Sequence, residues 1–332
     1  MIISRTPLRV SLGGGGTDLP FFYKKYGGFV VSAAIQKYIY IIISNRFEKN
    51  FRISYSKTEI CDSVNKIKHP IVKACLNLVG LKNPLELVSI ADMPASSGLG
   101  SSGSFTVGLL HTLYSFKKED IVKKTLAEKA CYIEMDVLKE PSGKQDQYIA
   151  TFGGFSCFKI NKNGQVQVEE IKLSSDFKED LGNRLVYFYT GVTREANEVL
   201  RDQKSIASKT NSLDYLLKIK EIGVKSKKCL ENEDSDCFGC LLDEHWELKK
   251  KTSSKVSNTK VDKYYQLAKK IGSSGGKIIG AGGGGFFMFY CKDDVIKKNL
   301  IKKFNGLGLS SVKFPFEPYG TKIILDLHGI KN

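Results

Sequence analysis

Three clusters of glycine constrain the fold of this chain more than any other feature of its sequence. The clusters occupy residues 13–16, 98–103 and 280–285, and the chain of 332 residues holds 31 glycines in all. Glycine destabilises the interior of helices and strands, but it permits left-handed turns and the close approach of a ligand to the backbone. Each cluster therefore predicts a sharp turn or a ligand-binding loop between regular elements.

The spacing of apolar residues predicts a mixture of strands and helices. Strands are predicted over residues 9–12, 29–43 (as more than one strand), 85–91, 155–160, 184–189, 285–291 and 321–327. Helices are predicted over residues 70–78, 102–116, 121–138, 195–209, 213–230, 237–250, 260–272 and 294–306. Because the two types do not alternate strictly, an α+β fold is favoured over a doubly wound parallel sheet. The polar stretch 161–180 predicts a domain boundary, which gives domains at 1–172 and 173–332.

Composition predicts a folded protein without a membrane span. Hydrophobic residues make up 42% and charged residues 26%, as in soluble globular proteins. The most apolar run, 29–43, is shorter than the roughly 20 residues of a membrane helix and contains Gln36 and Lys37. The N-terminus does not resemble a signal peptide, and eight cysteines are too few for a disulfide scaffold. We expect a cytoplasmic protein with reduced cysteines, and we expect His245 and Trp246 to lie in the core or near a functional site, with the core favoured.

The net charge of +16 raises the question of an anionic partner. Basic residues number 51 and acidic residues 35, an excess found in proteins that bind nucleic acids, anionic membranes or phosphorylated small molecules. The lysines are scattered along the chain, and no RNA-binding signature occurs. We therefore expect most of them to be solvated surface residues, with neither a nucleic acid nor a membrane as partner.

The central cluster has the layout of a phosphate-binding loop. It reads MPASSGLGSSGS over residues 93–104, after an apolar strand and before an apolar helix. The backbone N–H groups of such a loop and the positive end of the helix dipole attract phosphate. Ser101 and Ser102 could cap the helix, or could offer a hydroxyl to a metal ion bound by the phosphates. The spacing also fits a dinucleotide fingerprint, but the second strand with its acidic residue is missing, and no P-loop sequence occurs.

Two carboxylates stand out for their surroundings. Helical spacing places Glu134 on the same face as the small residues 127, 130 and 131. A carboxylate there needs a cation, hydrogen bonds or a metal, because burying an unpartnered charge is costly; a satisfied core residue is the alternative. Asp146 lies in a polar stretch next to Lys144, where it could orient a hydroxyl group and accept its proton.

The first and third clusters offer further backbone for a ligand. Asp18 follows the first cluster and could bind the hydroxyl groups of a sugar, or Thr17 or Asp18 could cap a flexible loop. Residues 277–290 predict a strand, a glycine turn and a second strand. This segment is either a simple hairpin or a loop whose backbone borders an active site.

Together and in this order, the three clusters resemble the motifs of the GHMP kinases, the family of galactose, homoserine, mevalonate and phosphomevalonate kinases. The matching segments are PLRVSLGGGGTD at 7–18, PASSGLGSSG at 94–103, and residues 277–285. Residues 13–20, 143–155, 189–197, 244–258 and 276–290 further resemble the heptose 7-phosphate kinases of this family. The resemblance implies an N-terminal, ATP-binding domain like ribosomal protein S5 domain 2 and a ferredoxin-like C-terminal domain.

The resemblance also implies roles for individual residues. Asp146 matches the catalytic aspartate, with Arg9 beside it, and Ser102 and Glu134 match ligands of Mg²⁺. The ATP phosphates would be held by Pro94, Ser96, Ser97, Gly98, Leu99, Gly100, Ser101, Ser102 and Gly103. The sugar would be bound by Gly13, Gly14, Gly15, Gly16, Thr17 and Asp18. Arg194, or else Lys144, would bind a phosphate group on the sugar, although Arg194 could instead cap a turn or pair with a nearby glutamate.

The implied activity is ATP-dependent phosphorylation of the anomeric hydroxyl of D-glycero-D-manno-heptose 7-phosphate, a step toward nucleotide-activated heptoses for surface polysaccharides. Gly15 and Gly16 stand where many sugar kinases of the family have Glu-His, which argues against a galactokinase. The alternative is another sugar 1-kinase of the family, for fucose or a hexosamine. The presence of Asp146 and Glu134 argues against an inactive homologue. The sequence leaves open whether the protein is a monomer or a homodimer.

Overall fold

Two β-sheets organise the part of the chain that the computed structural model describes, residues 1–191, 196–207 and 212–327. The strands are β1 (Ile2–Gly13), β2 (Gly28–Asn45), β3 (Phe51–Ser54), β4 (Thr58–Cys61), β5 (Leu85–Ala91), β6 (Phe155–Ile160), β7 (Val166–Glu170), β8 (Leu185–Tyr189), β9 (Gly275–Ile278), β10 (Phe286–Tyr290), β11 (Ser311–Val312) and β12 (Lys322–Asp326). The helices are α1 (Pro20–Tyr26), α2 (Pro70–Val79), α3 (Ser101–Phe116), α4 (Lys123–Cys131), α5 (Gln145–Phe152), α6 (Ser175–Arg184), α7 (Ala196–Ala207), α8 (Ser212–Glu231), α9 (Ser235–Lys250), α10 (Thr259–Ile271) and α11 (Asp294–Asn305). A 3₁₀ turn at Val64–Lys66 precedes α2, and a π-helical turn at Tyr132–Val137 continues α4.

Strands β1 and β2 form the centre of the larger sheet. Its order is β12-β1-β2-β5-β3-β4, and β6 pairs with β2 and with β7. The prediction of more than one strand over 29–43 is wrong, because β2 is a single strand of 18 residues that pairs first with β6 and then with β5. A register shift opposite Pro7 and Leu8 leaves Gln36 and Lys37 out of the ladder with β1. Such a bulge bends a strand without ending it.

Helix α3 lies across β1 and β2 and connects the sheet to the site described below. A Cβ on Gly108 would lie 2.6 Å from Oγ1 of Thr6, so this glycine allows the helix to lie close against β1. Ser104 donates a hydrogen bond of 2.8 Å to the carbonyl oxygen of Pro7. These two contacts fix the start of α3, and with it the preceding loop, relative to β1.

The smaller sheet has the order β11-β8-β10-β9, and its neighbouring strands are antiparallel. Helices α7 to α10 connect β8 to β9, the third glycine cluster joins β9 to β10, and α11 leads to β11. This β-α-β-β-α-β order is that of a ferredoxin-like unit with added helices. Strand β12 then leaves the unit and pairs with β1. It therefore lies in the N-terminal sheet, although it follows the predicted division of the chain after residue 172.

The predicted helix over 121–138 differs from the observed structure at both ends. Helix α4 begins at Lys123, and the residues from Tyr132 onward wind as a π-helical turn. Sequence periodicity also missed α1, α5 and α6, which are short or rich in polar residues. The predicted helix over 195–209 extends outside the described residues, and α7 covers its described part.

Two cysteines near the start of α9 change an expectation. A disulfide joins Cys229 to Cys237, with 5.8 Å between the two Cα atoms, so the expectation that all cysteines are reduced is wrong for this pair.

His245 and Trp246 are buried in the core, which confirms their prediction. Among the helices of the described ranges, none has the length and apolar character needed to cross a membrane.

Candidate active site

The three glycine clusters meet around one cleft of about 470 Å³. Its lining includes Gly15 and Gly16 of the first cluster, Gly98 and Gly100 of the second, and Gly280 of the third. A Cβ on Gly280 would lie 2.7 Å from the carbonyl oxygen of Gly98. The second and third clusters therefore touch through their backbones, in a contact that a larger side chain would prevent.

The second cluster ends at the N-terminus of α3. Gly100 is the N-cap residue, with a left-handed φ of +79° and no side-chain cap for the first N–H groups. Among the described residues, the hydroxyl of Ser101, which lines the cleft, has no hydrogen-bond partner. The hydroxyl of Ser97 also lacks one, but Ser97 is fully buried away from the cleft, so its prediction as a phosphate ligand is corrected. Unpaired donors at the positive end of a helix suit phosphate oxygens. Pro94 does not line the cleft and Leu99 is fully buried in the core, so a role for their side chains is corrected to backbone support.

Asp146 lies in the first turn of α5, in the wall of the cleft next to α3. Nε and Nη2 of Arg9 donate hydrogen bonds of 2.8 and 2.9 Å to its two carboxylate oxygens, and Nη1 of Arg9 donates to the carbonyl oxygen of Gly98. This bidentate pair fixes the orientation of the carboxylate. Gly103 permits the close packing, because a Cβ there would lie 2.7 Å from Cβ of Asp146. Four residues from three separate segments thus form one constellation.

Glu134 is buried beside the start of α3, in the π-helical turn. Ser102 donates a hydrogen bond of 2.8 Å to Oε2, while Oε1 has no partner within the described ranges. Burial raises the pKa of Glu134 to about 7, and the hydrogen bond from Ser102 opposes the shift. An unsatisfied carboxylate oxygen beside a serine hydroxyl fits a hard divalent cation. The described residues contain no cluster of three or more His, Cys, Asp or Glu side chains suited to a metal, so phosphate oxygens and water would have to complete such a site.

A second group of polar side chains lines the cleft around Asp18. Its Oδ2 accepts a hydrogen bond of 3.0 Å from the N–H of Gln145, and Ser11 donates one of 3.1 Å to Oε1 of Gln145. A Cβ on Gly143 would lie 2.0 Å from Oδ2 of Asp18, so only glycine fits there. Burial raises the pKa of Asp18, and the Gln145 N–H opposes this shift. These acceptors and donors suit a ligand with several hydroxyl groups.

Comparison with known proteins identifies the family. Residues 65–154 match the family model of the GHMP kinases N terminal domain, and residues 226–307 match that of the GHMP kinases C terminal domain. The chain is 34% identical to a D-glycero-alpha-D-manno-heptose 7-phosphate kinase from Campylobacter jejuni, over 91% of this chain and 92% of the relative. The chain belongs to the GHMP kinase family. As a GHMP kinase, it is an ATP-dependent kinase.

One further relative and one solved structure are similar to this chain over most of its length. The bifunctional fucokinase/GDP-fucose pyrophosphorylase of Arabidopsis thaliana is 26% identical over 89% of this chain, which spans 30% of that protein. A D-glycero-D-manno-heptose 1-phosphate kinase from Bacteroides thetaiotaomicron superposes with a TM-score of 0.82 at 24% identity, covering 98% of this chain and 99% of the other. The two-domain α+β fold of a GHMP kinase is therefore confirmed.

Part of the first cluster supports the site of this GHMP kinase without facing the cleft. Thr17 is fully buried, and its hydroxyl bonds to the carbonyl oxygen of Gly14 and to the backbone of Phe29. A Cβ on Gly14 would lie 1.9 Å from the carbonyl oxygen of Phe29, and one on Gly13 would lie 2.9 Å from Oγ of Ser226. Gly13, Gly14 and Thr17 thus hold the loop against its neighbours and do not line the cleft, so their prediction as sugar ligands is corrected. Gly15, Gly16 and Asp18 line the cleft, and their contact with a sugar stays a prediction.

Lys144 and Arg194 were the two residues predicted to bind a phosphate group on the sugar. Lys144 does not line the cleft, because its Nζ donates hydrogen bonds of 3.0 Å to Glu128 and 2.7 Å to the carbonyl oxygen of Gly164. Its assignment is therefore corrected to an ion pair that holds the start of α5. Arg194 lies outside the described residues, and its role stays a prediction.

Sequence reasoning missed Lys249, which lines the cleft from the last turn of α9. It is the first of three consecutive lysines, a pattern that normally indicates a solvated surface. One signal could have revealed it. Lys249 follows His245 by four residues and Trp246 by three, so it shares the helix face that was predicted to be core.

Proposed function

We propose that this protein transfers the terminal phosphoryl group of ATP to the anomeric hydroxyl of D-glycero-D-manno-heptose 7-phosphate. The product would be the heptose 1,7-bisphosphate. One observation carries the catalytic part of this proposal: the carboxylate of Asp146, fixed by Arg9, lies against the first turn of α3 at the loop of residues 98–103. The choice of sugar is supported by the relative from Campylobacter jejuni, which is 34% identical over nearly the whole chain.

Asp146 would act on the attacking hydroxyl. Its carboxylate accepts a hydrogen bond from that hydroxyl, aligns it with the phosphorus atom, and takes its proton as the new O–P bond forms. Arg9 is a positioning residue, because its two hydrogen bonds hold the carboxylate in one orientation. Phosphoryl transfer needs positioning and charge neutralisation more than covalent chemistry from the protein, and this arrangement supplies the positioning.

The nucleotide phosphates would lie at the N-terminus of α3. Backbone N–H groups of residues 98–103 and the free hydroxyl of Ser101, which lines the cleft, would provide the donors. Ser102 and Glu134 would hold Mg²⁺, which would neutralise charge on the phosphates. The unpartnered Oε1 of Glu134 supports this assignment, because the buried oxygen otherwise lacks compensation for the loss of water.

The sugar would occupy the part of the cleft around Asp18, Ser11 and Gln145, with its anomeric hydroxyl toward Asp146. Gly15 and Gly16 leave this region open where bulkier side chains would narrow it. Arg194 remains the candidate ligand for the 7-phosphate, since a guanidinium binds phosphate with two parallel hydrogen bonds.

A substrate screen tests the proposal. ADP release would be measured with D-glycero-D-manno-heptose 7-phosphate, unphosphorylated heptose, L-fucose and N-acetylhexosamines, and the product position would be read by ³¹P NMR. We expect the heptose 7-phosphate to have the highest kcat/KM, by at least about tenfold over unphosphorylated heptose, for the loss of one charged contact. A preference for fucose would favour the fucokinase activity named for the Arabidopsis thaliana relative. Equal values for the two heptoses would exclude a phosphate pocket.

Asp146→Asn tests the catalytic assignment. We expect kcat to fall by about 10²–10⁴, with nucleotide binding changed by no more than a few fold because the donors at α3 remain. Asp176→Asn is the matched control, since Asp176 is also in the first turn of a helix but is exposed on α6. Near-normal turnover by Asp146→Asn would remove Asp146 from the mechanism.

A further inference from the structure

Lys249 is a buried cation in the wall of the cleft. Its side chain extends from the last turn of α9 and is only 8% exposed. Its Nζ donates one hydrogen bond of 3.2 Å to the carbonyl oxygen of Ile278 and another to that of Gly280. An ammonium group has three protons to donate, so one donor remains for the cleft that Lys249 lines.

Lys249 also lacks a counter-charge. Within the described ranges no carboxylate forms an ion pair with it, whereas the neighbouring Arg9 is paired with Asp146. Burial lowers the pKa of Lys249 to about 7, and the positive charge of Arg9 adds to the shift. A buried cation without an anion is costly. Such a group would be stabilised by an anionic ligand that enters the cleft.

The backbone contacts place Lys249 at the reacting end of the cleft. It binds the carbonyl oxygen of Gly280, and Gly280 packs directly against Gly98. The carbonyl oxygen of Gly98 accepts a hydrogen bond from Arg9, which in turn holds Asp146. Lys249 is therefore linked through four successive contacts to the carboxylate that would accept the hydroxyl proton.

We infer that Lys249 is a direct ligand of the terminal phosphate group of the bound nucleotide. The inference rests on the proposed function, because it takes the terminal phosphate to lie beside Asp146. The inner phosphates would be held by the loop and the start of α3, and Lys249 would add a donor for the group that is transferred. A cation at this position stabilises the charge on that group during transfer.

A bound phosphate would also change the protonation of Lys249. The basic groups around it are Arg9 on β1, Lys277 on β9 and His245 on its own helix. The charge of Arg9 helps to lower the pKa of Lys249, and burial lowers the pKa of Lys277 and that of His245. The acids that line the same cleft are Asp18, Glu134, Glu140 and Asp146. A phosphate in direct contact favours the ammonium form, so nucleotide binding above pH 7 should be accompanied by proton uptake at Lys249.

Lys249→Met tests the contact without any sugar. Dissociation constants would be measured for the non-hydrolysable analogue AMP-PNP and for ADP, both with Mg²⁺, and the melting temperature would show that the variant is folded. We expect AMP-PNP to bind about 10- to 100-fold more weakly and ADP to bind within about twofold of wild type. Lys251→Met is the matched control: Lys251 is the exposed neighbour just after α9, and both constants should be unchanged. Equal weakening of ADP and AMP-PNP in Lys249→Met would overturn the inference, because it would indicate support of the loop.

The number of protons taken up when AMP-PNP binds distinguishes a direct phosphate contact of Lys249 from a purely structural role. Calorimetry at pH 8 in buffers of different ionisation enthalpy should show that wild type takes up as much as about one proton more per AMP-PNP than Lys249→Met. Lys249→Arg should retain binding of AMP-PNP but lose this uptake, since arginine stays charged. Proton uptake that is the same in wild type and both variants would refute the inference.

The outcomes separate the two proposals. If AMP-PNP depends on Lys249 but no sugar is phosphorylated, the inference stands and the proposed substrate is wrong. If heptose 7-phosphate is phosphorylated while AMP-PNP binds equally to wild type and Lys249→Met, the proposed function stands and the role of Lys249 is wrong.

Discussion

Gly103→Ala would test whether the packing of α3 against α5 sets the catalytic rate. The new Cβ would lie 2.7 Å from Cβ of Asp146 and 3.1 Å from the backbone nitrogen of Gln147. Carbon atoms pack at about 3.5–4.0 Å, so the start of α5 must move by about 1 Å. A displacement of this size in a catalytic group costs about 10²-fold in rate. Alanine also favours the helix by about 1 kcal/mol over glycine, which offsets part of the strain and keeps the protein folded.

The assay is steady-state ADP release with saturating ATP and sugar, together with thermal unfolding. We expect kcat to fall by about 10²-fold, while the melting temperature changes by only a few degrees. Gly182→Ala is the control, because Gly182 lies in helix α6 and its Cβ would lie 3.6 Å from the ring of Phe316, an ordinary contact distance. If kcat of Gly103→Ala stayed within about threefold of wild type, the contact between α3 and Asp146 could not be as tight as described.

Three further predictions concern the metal site at Glu134, the loop at Gly98 and the buried Lys277. Glu134→Gln should raise the Mg²⁺ concentration for half-maximal activity at least about tenfold without lowering the melting temperature, because it removes a buried charge; a magnesium titration checks both. Gly98→Ala should lower the free energy of unfolding by about 1–3 kcal/mol, measured in urea, because its φ is +82° and its Cβ would lie 2.6 Å from the carbonyl oxygen of Ile279. Burial lowers the pKa of Lys277 well below its usual range, so the unfolded chain binds a proton at Lys277 that the folded protein lacks, and this group makes the free energy of unfolding of wild type rise with pH. The free energy of unfolding of Lys277→Met minus that of wild type should therefore fall by as much as about 1.4 kcal/mol per pH unit between pH 7.5 and 9.5.

Each of these has a result that would contradict it. An unchanged magnesium requirement in Glu134→Gln would remove this carboxylate from the metal site. Gly80→Ala is the control for Gly98→Ala, since Gly80 has a φ of +73° but no atom within 4 Å of its would-be Cβ; equal losses in the two variants would mean that the contact with Ile279 costs nothing. A difference between Lys277→Met and wild type that does not change with pH would show that Lys277 is charged in the folded protein.

The loops and most of the regular elements could be predicted because they depend on local properties. A glycine-rich segment between a strand and a helix indicates a turn that approaches a ligand, and periodic apolar residues indicate which faces are buried. Strands β5 and β6 begin and end at the predicted residues. The prediction failed at β2, where two polar residues in an apolar run suggested a break; the bulge against β1 accommodates them, and only the neighbouring strand decides this.

Local sequence patterns were enough to predict the residue types of the site: glycines where side chains would clash, serines at a helix start, and two acids in unusual surroundings. Which of these groups meet depends on how distant segments of the chain pack together. Asp146 pairs with Arg9, which is 137 residues away, Lys144 pairs with Glu128 away from the cleft, and one of three adjacent lysines turns inward beneath the third glycine cluster. The physical reason is that burial, ion pairing and hydrogen bonding of a side chain depend on atoms from segments far apart in the chain, which come together only when the two sheets and their helices pack.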